Sequence, residues 1–183
     1  MFKLTLALCL ALAAPASAGP LDDVADAVCY REYARALPIL KAETARGNAA
    51  ATRILAELYH DGTGGVPMDR RKAFELWRTA DAAGDALAAE RLQKAVRYGT
   101  GTREDAAAAR EMVPRMERLL VACAEKGDIG CMEQLEDGYM RGWDLSSDKG
   151  KAVGWAEKRQ AALTKKAETG EPCARTALAL FLG

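Results

Sequence analysis

The sequence predicts an all-α chain, an α-solenoid of antiparallel helix pairs with about three full or loose repeats and partial units at both ends. Three observations point there. First, the 183 residues hold 38 Ala against seven Val and three Ile, a balance that favours helix and disfavours a β-sandwich or barrel. Second, Ala51, Leu55, Tyr59 and Gly62 reappear as Ala88, Leu92, Val96 and Gly99, and again as Cys131, Leu135, Tyr139 and Gly142. Third, each set is preceded four residues earlier by a glycine, at 47, 84 and 127. Residues four apart share one helical face, so each set describes a helix that turns its small residue and its leucine inward between two turn glycines.

Residues 1–18 read as an export signal rather than as part of the fold. Lys3 gives a short positive start, Leu4–Ala14 an apolar run and Pro15 a breaker. Ala16-Ser17-Ala18 then places small residues where a signal peptidase reads. The run is too short for a hydrocarbon core that needs about twenty residues. Cys9 follows Leu8 rather than a small residue, so lipid attachment is not expected. The expectation is export, a periplasmic or secreted location, no membrane span after cleavage, and one mature repeat domain over 19–183.

Within that domain, residues 30–47 read as an isolated second helix. Three helix pairs follow over 47–84, 84–127 and 127–170, and a truncated first helix over 170–183. The second helix of each pair begins at an aspartate ahead of an alanine-bearing run: Asp69-Arg-Arg-Lys72-Ala73, Asp105-Ala-Ala-Ala108-Ala109 and Asp148-Lys-Gly-Lys151-Ala152. A carboxylate there accepts the orphan amides of a helix start. The glycine spacing grows from the first pair to the next two, which predicts longer or broken second helices. Pro38 and Pro114 fall inside such helices, where proline costs about 3 kcal/mol, so a kink or break is expected at each.

The stretch Leu55-Ala-Glu-Leu-Tyr59-His-Asp-Gly62-Thr-Gly64, followed by Asp69-Arg-Arg-Lys72-Ala73-Phe-Glu-Leu-Trp77, resembles the Sel-one-like repeat (SLR), a relative of the tetratricopeptide repeats. Residues 47–84 carry the likeness most fully, and the next two units follow in register. The resemblance implies a TPR-like superhelix that presents a surface to proteins or peptides and works as a scaffold, adaptor or regulator rather than a catalyst. It also implies, for an exported chain, a protein partner in the periplasm or envelope.

Signal removal leaves four cysteines. Cys123 and Cys131 stand four residues either side of Gly127, where a tight turn between helices would bring their Cα atoms within disulfide reach. Their spacing also resembles the cysteine-rich secreted branch of the same family, in which such pairs staple neighbouring helices. Two buried thiols in small-residue positions are the alternative. Cys29 and Cys173 sit near opposite ends of the array, where an intramolecular bond, free thiols or an intermolecular bridge all remain open.

Chemistry finds little foothold. Twenty-six basic residues balance twenty-six acidic ones, which removes the electrostatic case for nucleic-acid binding. His60 is the one histidine, so a zinc site built on several imidazoles is ruled out. No catalytic residue, cofactor or metal site is expected. Asp144, Ser146 and Asp148 alternate like the opening of a calcium loop, but Lys149 and Trp155 occupy the positions that need Gly and Glu. Ser146 and Lys149 match a serine–lysine pattern of penicillin-recognising enzymes, so a β-lactam-binding or hydrolysing enzyme is the alternative function; its companion motifs are missing. Tyr59, Tyr98, Tyr139, Trp77 and Trp155 fall on repeat positions and are expected in the core. The apolar ending Ala177-Leu-Ala-Leu-Phe-Leu-Gly183 is expected to fold back on the last helix or to bury itself in a second copy.

Overall fold

The computed structural model describes Val24, Ala27 and residues 32–142 and 145–169. The signal segment, Cys29, Asp144, Cys173 and the apolar ending lie outside the described residues. Among the described residues, seven helices with defined bounds follow in order: α1 Tyr33–Ala45, α2 Ala49–Asp61, α3 Arg70–Ala82, α4 Ala86–Tyr98, α5 Ala106–Glu125, α6 Ile129–Arg141 and α7 Lys149–Thr169. Helices α2, α4 and α6 are the first helices of the three units, and α1, α3, α5 and α7 are second helices. Each packs against its chain neighbours, and α4 also touches α6 directly. No described helix is long and apolar enough to cross a membrane.

The first helices share one length because they share one set of signals. Their N-caps are Asn48, Asp85 and Asp128, whose side chains accept the amide three residues on at 3.2, 2.7 and 2.9 Å. Their C-caps are Gly62, Gly99 and Gly142, all left-handed with φ near +65° to +69°, a conformation that carries no steric penalty for glycine. Asp69, Asp105 and Asp148 cap the second helices as their positions predict, the aspartate oxygen accepting from Lys72, Ala108 and Lys151 amides at 2.9, 2.9 and 3.0 Å. The amides of these three aspartates also donate back to the carbonyls of Tyr59, Val96 and Tyr139. Each loop is thereby pinned at the same place in all three units.

The turn from second to first helix is tighter. Gly47, Gly84 and Gly127 adopt φ of +83°, +88° and +94°. The next residue in each case donates its amide to a carbonyl five positions back, Glu43, Ala80 and Cys123. This is the six-to-one closure of a Schellman motif. Asn48, Asp85 and Asp128 therefore end one helix with their backbone and begin the next with their side chain.

The small residue and the leucine of each set face inward as the spacing predicts: Ala51, Leu55, Ala88, Leu92, Cys131 and Leu135 are all buried. Two apolar clusters result, one centred on Trp77 with Leu40, Leu55 and Leu92, the other on Trp155 with Leu120, Leu135 and Leu145. Helix α4 belongs to both, giving Leu92 and Ala95 to the first and Ala86 and Ala89 to the second.

Two expectations change, at the prolines and at Tyr98, and the one on helix length is met. Neither proline breaks its helix: α1 and α5 run through Pro38 and Pro114, held by packing on α2 and on α4 and α6 that offsets the lost backbone hydrogen bond. The later second helices are lengthened, α5 and α7 having 20 and 21 residues against 13 in α3. Tyr98 is not a core residue. It ends α4 two positions beyond Val96, the residue in register with Tyr59 and Tyr139, and this offset leaves it 59% exposed.

Candidate functional site

The first helices α2 and α4 carry a chain of charges that joins adjacent units. Arg53, on α2, reaches the α4 cap Asp85 at 3.1 Å and Glu57 at 3.3 Å. Arg91, on α4, lies 3.7 Å from the same Glu57 and 3.2 Å from Glu90, which also pairs with Lys94. Arg53 and Asp85 are mostly shielded from water, so this pair holds α2 and α4 in fixed register better than an exposed pair would.

Beside that chain opens a cleft of about 400 Å³, lined from α2 by Glu57, His60 and Asp61, from α3 by Trp77, and from α4 and its exit loop by Arg91, Lys94, Ala95, Tyr98 and Thr100. Trp77 is buried, and among the described residues its indole N–H has no hydrogen-bond partner. The His60 ring lies 5.2 Å from the Trp77 ring, tilted by 45°, and its Nδ1 lies 2.7 Å from the Asp61 carboxylate. His60 is thus a partly exposed residue at the end of α2. Tyr98 stands at the cleft rim beneath the guanidinium of Arg97.

Only Trp77, His60 and Tyr98 of this lining were distinguishable in the sequence. Glu57, Arg91 and Lys94 were not, although a signal was present: Glu57, Lys94 and Asp137 hold one register position, and Arg53, Glu90 and Glu133 another. The charge reverses between successive units in three of the four steps, from Glu57 to Lys94, Lys94 to Asp137 and Arg53 to Glu90.

The predicted cysteine pair sits at the turn between α5 and α6. Cys123 and Cys131 are joined as a disulfide with Cα atoms 6.0 Å apart. Asp128 lies against them, and with the two sulfurs forms a group compact enough to hold an ion. A disulfide offers no thiolate, however, and Asp128 already accepts the Cys131 amide, so the donor set does not fit a metal. Ser146 and Lys149 are both exposed, and α7 begins at Lys149 behind the Asp148 cap. The serine–lysine chemistry needs its serine at the helix start with the lysine one turn further on, and that geometry is absent here.

A helical-repeat solenoid of the SLR/TPR type is the class that these elements define. No family model and no curated protein matches the sequence. Among solved structures, the chain is similar to a Sel1 repeat protein from Oxalobacter formigenes, at a TM-score of 0.52 and 22% identity over 90% of this chain and 59% of that one. It is also similar to a protective antigen with an SLR fold from uropathogenic Escherichia coli, at a TM-score of 0.48 and 21% identity, over 89% of this chain and 41% of that one. The chain thus spans less than two thirds of the length of either. The likeness to the Oxalobacter protein shows the fold, in agreement with the resemblance read from residues 47–84.

Proposed function

We propose that this protein is an exported, non-catalytic repeat module that mediates protein–protein interaction in the cell envelope, as a scaffold, adaptor or regulator. The observation that carries this reading is the α2–α4 face: a rigid, charge-laced wall with an open cleft of mixed aromatic and polar lining. Such a surface recognises shape and local polar contacts, and a near-neutral chain brings no long-range field to attract polyanions. The signal-like start supports a periplasmic or secreted location, and the apolar ending supports self-association as a secondary mode.

Site-specific photo-crosslinking tests the interaction. A benzophenone side chain at Tyr98, Glu133 or Met140, in cells that express the full chain, is expected to trap one defined envelope protein. The same group at Arg110, on a second helix, is expected to trap none. Equal labelling from both layers, or none from the first, overturns the reading. Osmotic-shock release, with an N-terminus found at Gly19, tests the location.

A further inference from the structure

A second cavity, of about 430 Å³, opens between α3 and the loop that joins α4 to α5. Arg71, Phe74 and Glu75 line it from α3, and Gly101, Thr102 and Arg103 line it from the loop. The loop lies so close to α3 that any side chain at Gly101 would overlap the Arg70 carbonyl. That approach brings Arg103 to the same space as Arg71. The cations of the α2–α4 wall all meet carboxylates. Among the described residues, neither Arg71 nor Arg103 makes an ion pair or a side-chain hydrogen bond. The acids nearby are engaged or stand apart. Glu75 pairs with Arg78 at 2.5 Å, Asp69 and Asp105 cap α3 and α5, and Glu104 lies outside the lining. Two permanent guanidinium charges therefore share one cavity unanswered, beside the half-buried ring of Phe74.

We propose that this cavity binds a small phosphate monoester. At neutral pH such an ester carries close to two negative charges and three strong acceptor oxygens. That matches two forked donors, each able to hold a pair of oxygens. A single carboxylate brings one charge and satisfies one fork. The Phe74 ring offers an apolar face to the organic body of the ester. The volume lies in the range of small-molecule sites, which favours a soluble ester over a protein surface. Binding is assigned to the two side chains and not to the start of α3, which Asp69 already caps. The proposal goes beyond the protein-interaction reading and stands or falls without it.

Phenyl phosphate titrated against the full chain, and followed by broadening of its phosphorus NMR signal, tests it. The dissociation constant is expected on the order of 1 mM, as befits so small a ligand. Arg71→Gln and Arg103→Gln, both at exposed positions, are each expected to weaken binding about tenfold, the effect of one lost charged hydrogen bond. Benzoate, which keeps the ring but carries one charge, is expected to bind at least tenfold more weakly than phenyl phosphate. Inorganic phosphate is expected to bind several-fold more weakly for want of the ring contact. Phe74→Leu should abolish that last difference while leaving the affinity for inorganic phosphate unchanged, which also shows that the variant is folded. No binding of phenyl phosphate, affinities unchanged in both arginine variants, or benzoate binding equally well overturns the proposal. Vesicles of phosphatidylcholine with phosphatidic acid present the same phosphate monoester on a lipid. The protein is expected to stay in the supernatant, and sedimentation that depends on Arg71 and Arg103 overturns the assignment to a soluble ester.

Discussion

Lys72 lies over the ring of Tyr59, its Nζ 4.1 Å from the ring centroid, and donates to the phenol oxygen at 2.8 Å. The pair recurs two units later as Lys151 over Tyr139, at 4.8 Å. In the unit between them both partners are replaced together, by Val96 and Ala108. A cation on the second helix thus accompanies an aromatic ring on the first, and where the ring is missing the cation is missing too. A double-mutant cycle on Tyr59→Phe and Lys72→Met is expected to give a coupling of about 0.5–1 kcal/mol by urea denaturation. Ala108→Lys alone is expected to gain nothing, because Val96 offers neither ring nor hydroxyl. Additive effects at Tyr59 and Lys72 would remove the pair from the stabilising contacts.

Tyr139 differs from Tyr59 in donating a hydrogen bond to Glu117, at 2.5 Å. Burial, then this hydrogen bond, then the negative charges of Glu117 and Asp148 hold its hydroxyl well above the usual tyrosine range. The folded state therefore keeps a proton that the unfolded chain releases near pH 10. The contribution is complete below that pH and is lost as pH rises above it. Tyr139→Phe is expected to flatten the decline of the urea midpoint above pH 10, measured against the parent chain; parallel profiles would contradict the assignment.

Two glycines with similar positive φ are expected to respond very differently to alanine. At Gly84 an added Cβ meets nothing within 4 Å, so Gly84→Ala should lose only the backbone penalty of about 1–2 kcal/mol. At Gly101 the added carbon would overlap the Arg70 carbonyl at the start of α3. Gly101→Ala must displace backbone in a neighbouring unit, and its loss of stability by thermal denaturation should be clearly the larger of the two.

Reduction probes the turn between α5 and α6. The Cys123–Cys131 bridge closes a short loop, for which chain entropy gives about 2.5 kcal/mol. Cys123→Ser with Cys131→Ser should lower the denaturation midpoint accordingly and make it insensitive to reductant. Alkylation of the unfolded parent chain should show two further reactive thiols after reduction of this pair. Equal midpoints with and without reductant in the parent chain would show that the bridge does not stabilise.

Much of this fold was legible because its signals are short-range. A capping aspartate, a left-handed glycine and a buried small residue each act within one turn of helix, so Asp69, Gly99 and Ala88 announce themselves. The caps at Asn48, Asp85 and Asp128 carried the same signal directly behind each turn glycine, but were overshadowed by the glycines themselves. The cleft was not legible in the same way. It depends on how far α4 is rotated and offset relative to α2, a product of all the packing between them, and no local pattern encodes it. The same offset put Tyr98 at the rim rather than inside: a residue two places from a core position on a helix lies on a different face.

Because Asn48, Asp85 and Asp128 serve two helices at once, the piece of chain that can be copied or excised intact is not the glycine-to-glycine unit that the sequence displays. Cutting at those glycines deprives one helix of its end and the next of its beginning. Cutting in the stretches that follow Gly62, Gly99 and Gly142 keeps every shared residue whole. The building block for duplication, deletion or grafting is therefore a second helix together with the first helix that follows it. Shortened or extended arrays should be joined through those loops.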